Sequence, residues 1–598
     1  MKTISKLAAL AAFSLTALQA QAQFFEQVDF IGALSSDASK DWTAGWTNFN
    51  PKAANYPAAT DTTTLNGVDG SNGKKTISAN LTLNASTVYL LKGMIVVPDG
   101  VTLTIPAGTV IRGKANLQAS PINYATLVVE RGGKLVVNGT ATNPVVFTSW
   151  KTTGRDRGDW GGIVISGRAR NNQGSDVQIE GFNNVSFDNQ LAKHGGSDDN
   201  DNSGVLKYMR IEFAGLAFEP NKEVNSLTLG SIGRGTEIAY VQTSFGNDDA
   251  FEWFGGTVNA KHLVSYITTD DDFDCDFGFS GGVQYGIAVR DTAYYDLTWN
   301  ATSGGSTSES FECDNDAGGS AKQPYTSPVF SNITCIGPIP MGSTYASLST
   351  VSKGAFRRGA RLRRNSRVSI VNSIFMGYRN MVMFDGDSVM LASGVPTASF
   401  PNTTTGMIFR NNLIVNSAAG FAPASSTANG LVEVASANAA LLPSFDAWIK
   451  DAQNANKIDV VPYTAGTVLV DPTNRTAPNF RPVAGSPALS GASFSYNRLT
   501  PYGVLNGYRT LESASNIMSY PNPATGFTTL SFSNSQPFAA EIVITDMQGR
   551  VVRSLGSRNF GTGNQQVEVK LEGLTNGMYF INLNAAQGRI SHRIMVAR

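Results

Sequence analysis

The chain is poor in the residues that usually announce a chemistry. Its 598 residues include only 3 cysteines and 3 histidines, and 46 Lys and Arg are matched by 46 Asp and Glu. So few cysteines exclude a disulfide framework, since Cys275, Cys313 and Cys335 permit at most one bridge and one spare thiol. Zero net charge removes any global case for nucleic-acid binding, which needs a basic field against phosphate. No zinc-ligand spacing, nucleophile motif or phosphate loop stands out, and the histidines His194, His262 and His592 are scattered. Long apolar runs are also missing. The one near the start, "LAALAAFSLTAL" (Leu7 to Leu18), follows Lys2 and Lys6 and precedes Ala20-Gln21-Ala22, the pattern of a secretory signal peptide over residues 1–22. It is too short to span a bilayer, so an exported chain with no transmembrane segment is expected.

What is abundant is glycine, with 60 residues, and short runs of alternating apolar and polar residues such as "VTLTIPAGTVIRG", "ATLVVERGGKLVVNG" and "WGGIVISG". Amphipathic patterns of helical length are scarce, so strands joined by tight turns are expected. Repeat spacing then selects a stacked coil over a sandwich. Aligning "EIAYVQTSFGNDDAFEWFGG" with "AKHLVSYITTDDDFDCDFGFSGG" sets Val241 over Leu263, Phe245 over Ile267, Asp249 over Asp271, Phe251 over Phe273 and Glu252 over Asp274. Each pair is 22 residues apart, about one turn of a parallel β-helix. A third phrase, "SESFECDNDAGG", repeats the phase at an offset of 38, with Phe311-Glu312-Cys313-Asp314 over Phe273-Asp274-Cys275-Asp276. Asn332, Asn372 and Asn412 recur at intervals of 40.

Such stacking makes ladders of like residues for structural reasons alone, with Val, Ile and Phe inward and acids outward. If the Cys275 and Cys313 coils are adjacent, the two thiols lie within disulfide reach; two stacked free thiols are the alternative.

These phrases, together with "WTAGWTNFNP", "GDWGGIVISGRA" and "NFRPVAGSPALSGA", resemble a family of exported proteins with a pectin-lyase-like, right-handed parallel β-helix. Trp42, Trp46 and Trp160 lie in phrases that look like capping and turn structure. The last 80 or so residues resemble the type A sorting domain of the type IX secretion system, through "YPNP", "DMQGRVV", "LTNGMYFINL" and a basic end at Arg598. Their alternation around Gln548-Gly549 predicts a small antiparallel, Ig-like β-sandwich. An all-β chain follows: signal peptide 1–22, β-helix with an N-terminal cap 23–512, sorting domain 513–598. The resemblance implies passage through the outer membrane, handled by the secretion machinery, to a released or surface-attached state.

Between Gly246 and Asp276 stand eight acids, Asp248, Asp249, Glu252, Asp270, Asp271, Asp272, Asp274 and Asp276, against one base, Lys261. Carboxylates about 5 Å apart repel by about 3 kcal/mol per pair at an effective dielectric near 20. Ca²⁺, nearby Arg or Lys, raised pKa values or splaying into water can relieve this. The expected metal ligands are Asp249, Glu252, Asp271, Asp274, Asp276 and Glu312. "KGAFRRGARLRRNSR" adds seven bases and no acid, and Arg357, Arg358, Arg361, Arg363 and Arg364 are candidates for gripping a carboxylated or sulfated glycan. They serve equally to neutralise the acids. Asp198, Asp199 and Asp201 have the density of a Ca²⁺ loop but not EF-hand spacing.

The fold hosts lyases, hydrolases, adhesins and inert spikes alike. Asp248, Asp249, Asp271 and Asp272 are the catalytic candidates for a polysaccharide lyase or glycoside hydrolase. Asp248-Asp249 resembles the acid pair of β-helical polygalacturonases, but that family's Gly-His-Gly is missing. A binding or adhesive scaffold for a glycan or surface ligand is therefore the leading expectation, ahead of the enzyme and of a purely structural filament.

Overall fold

The computed structural model describes residues 24–597 except 69–72, 120–121, 183–189, 219–223, 297, 299–305, 387, 390–406, 416–430, 497, 500–503, 506–513, 546–550 and 586–587. The expected signal peptide, the expected Gln548-Gly549 turn and Arg598 lie outside the described residues. The chain divides into two compact units, Val28–Leu499 and Thr500–Arg598 with Met1–Gln27.

The larger unit is a right-handed parallel β-helix. Its strands form two parallel sheets, of eleven and sixteen strands among the described residues. The larger sheet is folded over a corner. Strands Gly204–Glu212, Glu237–Ser244, Ala260–Tyr266, Gly282–Val289 and Val329–Ile336 each run across two faces of the coil. Each bends at one residue with positive φ: Tyr208, Tyr240, His262, Tyr285 and Asn332. In later coils this bend splits the strand, at Asn372 between Ser369–Val371 and Ile374–Met376, and at Asn411 between Phe409–Arg410 and Leu413–Val415. The left-handed conformation costs an ordinary side chain free energy, and Asn tolerates it best. Asn411, rather than Asn412, is therefore the equivalent of Asn332 and Asn372; Asn412 sits one place later, its Oδ1 accepting from the Ser373 amide.

Strand register follows the repeats read from sequence. Phe251 pairs with Phe273 and Glu252 with Asp274. Phe273, Asp274 and Cys275 face Phe311, Glu312 and Cys313. Alternation sends every second residue inward, so one interior column runs Ile95, Leu127, Ile163, Leu227, Phe251, Phe273, Phe311 and Ala360. The rings of Phe251, Phe273 and Phe311 stack at 5.9 and 5.3 Å. The last coil is closed by helix Leu442–Lys450, whose Phe445, Trp448 and Ile449 are buried. Phe445 packs against Phe384 at 4.6 Å. The N-terminal residues make no strand between Phe30 and Pro57 and run along the side of the coils, where an end cap was expected. No helix among the described residues is long and apolar enough to cross a membrane.

The smaller unit is a sandwich of two antiparallel sheets. One contains Ala514–Tyr520, Phe527–Asn534 and Gly563–Lys570; the other contains Val551–Phe560, Phe538–Thr545, Gly577–Ala585 and Gly588–Val596. Leu530, Phe532, Ile544, Val567 and Ile581 meet in its core.

Removing one rung from the aromatic interior column tests the stacking. Phe273 is fully buried between its two neighbours. Phe273→Ala is expected to destabilise the β-helix by about 3–5 kcal/mol, read as a lowered urea midpoint. A midpoint unchanged from the parent chain contradicts the stacking.

Candidate functional site

The outer face of the eleven-stranded sheet carries the chemistry. One outward column reads Val96, Val128, Val164, Thr228, Glu252, Asp274, Glu312, Arg361, Met383 and Glu433. Its first rungs are apolar and lie buried under Ile179, Phe182, Leu191 and Phe218. The next three rungs are carboxylates, followed by a guanidinium. A second outward column runs Phe254, Asp276 and, past Cys313, Asp314, then Arg363 and Asp385. Successive residues in a column meet at one strand spacing, so like charges are stacked by the fold itself.

A separate ladder holds the turns before these strands. Asn225 Oδ1 accepts from the Asp249 amide at 3.2 Å, Asp249 Oδ1 from the Asp271 amide at 2.7 Å, and Asp271 Oδ1 from the Glu309 amide at 2.6 Å. Each side chain caps the equivalent residue of the next coil. Asp249 and Asp271 thus have a structural task that satisfies one carboxylate oxygen each.

Counter-charge is distributed unevenly. Downstream, Arg358 joins Glu309 at 3.0 Å and Glu433 at 2.8 Å. Arg361 joins Glu312 at 3.2 Å and Asp385 at 2.7 Å. Arg363 bridges Glu312 and Asp314, and Arg364 reaches Asp314 at 2.8 Å. Upstream, Asp249, Glu252, Asp274 and Asp276 form no ion pair among the described residues. Asp249 and Glu252 are only 6% and 7% exposed. Burial, reinforced by the neighbouring carboxylates, pushes Asp249, Glu252, Asp271 and Asp274 well above the ordinary carboxyl range. Burial and the Asp314 carboxylate do the same to Asp276. Even Glu312, with Arg363 and Arg361 drawing it down, is raised by burial to about 7.

Three sets of carboxylates bring ligand oxygens within 4.8 Å of one another: Asp248, Asp249 and Asp270; Asp249, Glu252 and Asp274; and Asp271, Glu309 and Glu312. The third is crossed by Arg358, Arg361 and Arg363. The second forms no ion pair among the described residues, although the Arg363 charge draws Asp274 down in part, and its all-oxygen donor set suits a hard divalent cation.

Several expected site residues lie elsewhere. Asp272, a catalytic candidate in the sequence, is fully buried in the coil interior, where Arg290 Nε lies 2.9 Å away and the hydroxyls of Ser265 and Ser310 donate to it at 2.5 and 2.7 Å. No substrate reaches it there. Cys275 and Cys313 face each other in register, but both are free buried thiols and the expected bridge is not made. Of the four ways to relieve the repulsion, splaying into water is little used, since Asp249, Glu252, Asp271 and Glu312 are buried. Arg358, Arg361, Arg363 and Arg364, candidates for gripping a glycan, are engaged with this chain's own carboxylates, and Arg357 Nε donates to the Gly354 carbonyl at 3.1 Å. In the acid-rich loop of Asp198, Asp199 and Asp201, Asp199 pairs with Arg170, Asp198 accepts from the Asn200 amide and Asp201 from the Ser203 hydroxyl.

Sequence reading missed Asn225, Arg290, Glu309 and Glu433. Glu309 was within reach, because the offset of 38 that carries Phe273 onto Phe311 also carries Asp271 onto Glu309. Glu433 arrives from a coil of different length, with no repeat in its wording to flag it.

Residues 73–448 match the family model described as the pectate-lyase like beta helix domain, and residues 518–597 match the secretion system C-terminal sorting domain. No curated protein matches the chain. Among solved structures, tailspike protein 2 of Escherichia coli O157:H7 bacteriophage CAB120 aligns with 84% of this chain and 64% of its own length, at 10% identity and a TM-score of 0.18. The enzymatically active domain of tailspike protein 4 of bacteriophage CBA120 aligns over the same shares, at 12% identity and a TM-score of 0.16. The chain thus spans just under two thirds of either structure, and scores this low carry no argument about activity.

The raised carboxyls give stability a definite pH dependence. Their folded pKa values lie above the unfolded ones, so their contribution is complete below about pH 4 and is lost as pH rises toward and beyond 7, where Glu312 titrates. In chelator, the melting temperature is expected to fall steadily between pH 5 and pH 8, and Asp274→Asn to flatten that slope. A melting temperature that climbs with pH over this range refutes the assignment.

Proposed function

Because the chain belongs to the pectate-lyase like β-helix family and carries a secretion-system sorting domain, we propose that it is a displayed binding scaffold whose acidic column takes Ca²⁺ and, through it, an acidic glycan. The sorting domain directs the chain through the outer membrane to the cell surface or the extracellular space. It does so by engaging the secretion machinery. The observation that carries the binding reading is the contrast along one column. Glu312 is neutralised by arginine, whereas Asp249, Glu252 and Asp274 converge within 4.8 Å with no ion pair among the described residues. A divalent cation offsets that repulsion and keeps open positions for carboxylate oxygens of a ligand.

A second reading, a polysaccharide lyase or glycoside hydrolase, is favoured by one feature. Asp274 and Asp276 are only partly buried by solvent accessibility, and both are pushed above the ordinary carboxyl range, as a general acid requires. Against the lyase form, the arginines available as its base are held by Glu312, Asp314 and Asp385.

Incubating the purified secreted chain with acidic and neutral polysaccharides, with Ca²⁺ or with chelator, separates these readings. The binding reading expects Ca²⁺-dependent retention of acidic polymers with no new chain ends, and loss of retention in Asp249→Asn and Asp274→Asn. Chain cleavage abolished by Asp274→Asn establishes the enzyme instead, and indifference of both retention and melting temperature to Ca²⁺ defeats the cation site.

A further inference from the structure

The N-terminal segment from Phe30 to Pro57 lies lengthwise against the corner of the β-helix and crosses its coils in reverse order. The Gly32 amide donates to the Asn372 carbonyl at 2.8 Å, and the Ala33 amide to Thr334 Oγ1 at 2.9 Å. Farther along, the Trp42 ring meets His262 at 5.0 Å and the Trp46 ring meets Tyr240 and Tyr208 at 6.1 and 6.0 Å. These partners belong to the column of left-handed corner residues, whose rings Tyr208, Tyr240, His262 and Tyr285 stack on one another at 4.2, 4.2 and 5.0 Å. Ile31, Leu34, Trp46 and Phe49 then complete an apolar cluster with outward residues of the coils, among them Tyr266 and Ile287.

Many of the polar contacts along this segment read its backbone, beside side-chain contacts such as Tyr56 with Glu212 and Lys52 with Asp156. Gln242 is fully buried; its Oε1 accepts from the Asn48 amide at 2.8 Å and its Nε2 donates to the Asn48 carbonyl at 2.9 Å. Arg210 Nη1 donates to the Trp46 carbonyl at 2.9 Å. Arg155 Nη1 donates to the carbonyls of Pro51 and Ala54 at 3.0 and 2.6 Å, and Arg112 Nη1 to that of Pro57 at 2.9 Å. Arg112 and Arg155 are 2% and 4% exposed, and the segment's carbonyls share these buried guanidiniums with carbonyls of residues 149–151. Four side chains from the coils and from the loop carrying Arg155 thus form a row of donors and acceptors matched to the main chain of one segment, whose path includes short 3-10 turns at Ala38–Lys40 and Pro51–Ala53. The segment contributes no strand to either sheet, so the sheets keep their own hydrogen bonding without it.

We infer that this corner groove is a binding site for a polypeptide segment, that residues 30–57 occupy it in cis as a separable ligand, and that the same segment of a second copy fits it in trans. The recognition chemistry is an aromatic pair, Trp42 and Trp46, seated on a stacked aromatic column, with the backbone from Trp46 onward gripped by Gln242 and three arginines. Specificity comes from the tryptophan spacing, and affinity from the backbone contacts.

A protease recognition sequence placed between Val68 and Gly73 of the full chain allows the segment to be cut free after folding. The cut segment is expected to stay with the chain in gel filtration. A labelled synthetic peptide of residues 28–58, added in excess, is expected to replace it while circular dichroism stays unchanged, and the uncut chain is expected to take up far less label. The same peptide with Asn48→Pro lacks the amide that Gln242 accepts, and is expected to bind at least about tenfold more weakly. This comparison changes only the peptide, so it does not depend on a variant chain folding. If the cut chain takes up no label, or takes it up only where the β-helix itself melts, the groove is a fixed part of the fold and the inference is wrong. Equal uptake of both peptides likewise overturns the backbone-reading claim.

Discussion

Stacking parallel coils at one strand spacing forces each outward residue to face its equivalent in the next coil, and most of this protein follows from that constraint. Where the equivalents are aliphatic or aromatic, stacking is favourable and makes the core, as in the column from Ile95 to Ala360. Where they are corner residues with positive φ, it builds an aromatic column that passes into Asn332, Asn372 and Asn411. Where they are carboxylates, the same geometry is costly.

The protein answers that cost in three ways along one face. Asp249 and Asp271 lend an oxygen each to the backbone of the following coil. Glu309, Glu312, Asp314 and Glu433 are neutralised by arginines of the strand Arg358–Arg363. Glu252 and Asp274 form no ion pair among the described residues, and burial and the neighbouring carboxylates favour their protonation, with Arg363 opposing it only in part at Asp274. An unbalanced stretch beside a balanced one on the same column is hard to explain by folding alone, and it is where a ligand's charge has most effect. The arginine strip, which in isolation suggests a surface for polyanions, is instead the other half of an internal charge pattern.

Much of the fold was legible because stacking leaves period and phase in the sequence. Phe251 over Phe273 and Glu252 over Asp274 could be written down from a spacing of 22, and Phe311 over Phe273 from the repeated phrase despite an offset of 38. What stayed hidden depends on side-chain direction and on coils of unequal length. Asp271 and Asp272 are neighbours in sequence, yet one caps the next coil and the other pairs with Arg290 in the interior. Nothing in "DDDFDCD" separates them. The asparagine interval misled by one position because the intervening loops vary, and only the positive φ at Asn411 identifies the stacked residue. The helix Leu442–Lys450 and the lengthwise course of residues 30–57 carry no repeat at all, so no periodicity pointed to them.

The central claim is that the unpaired carboxylates of the acidic column are held partly protonated by burial and mutual repulsion, and that a divalent cation takes the protons' place. The most direct test is to count protons released when Ca²⁺ is added to the folded chain at pH 7 in weak buffer, by pH-stat titration. The account predicts a saturable release that disappears in Asp274→Asn. Ca²⁺ binding with no proton release, or release unchanged by that substitution, would contradict it.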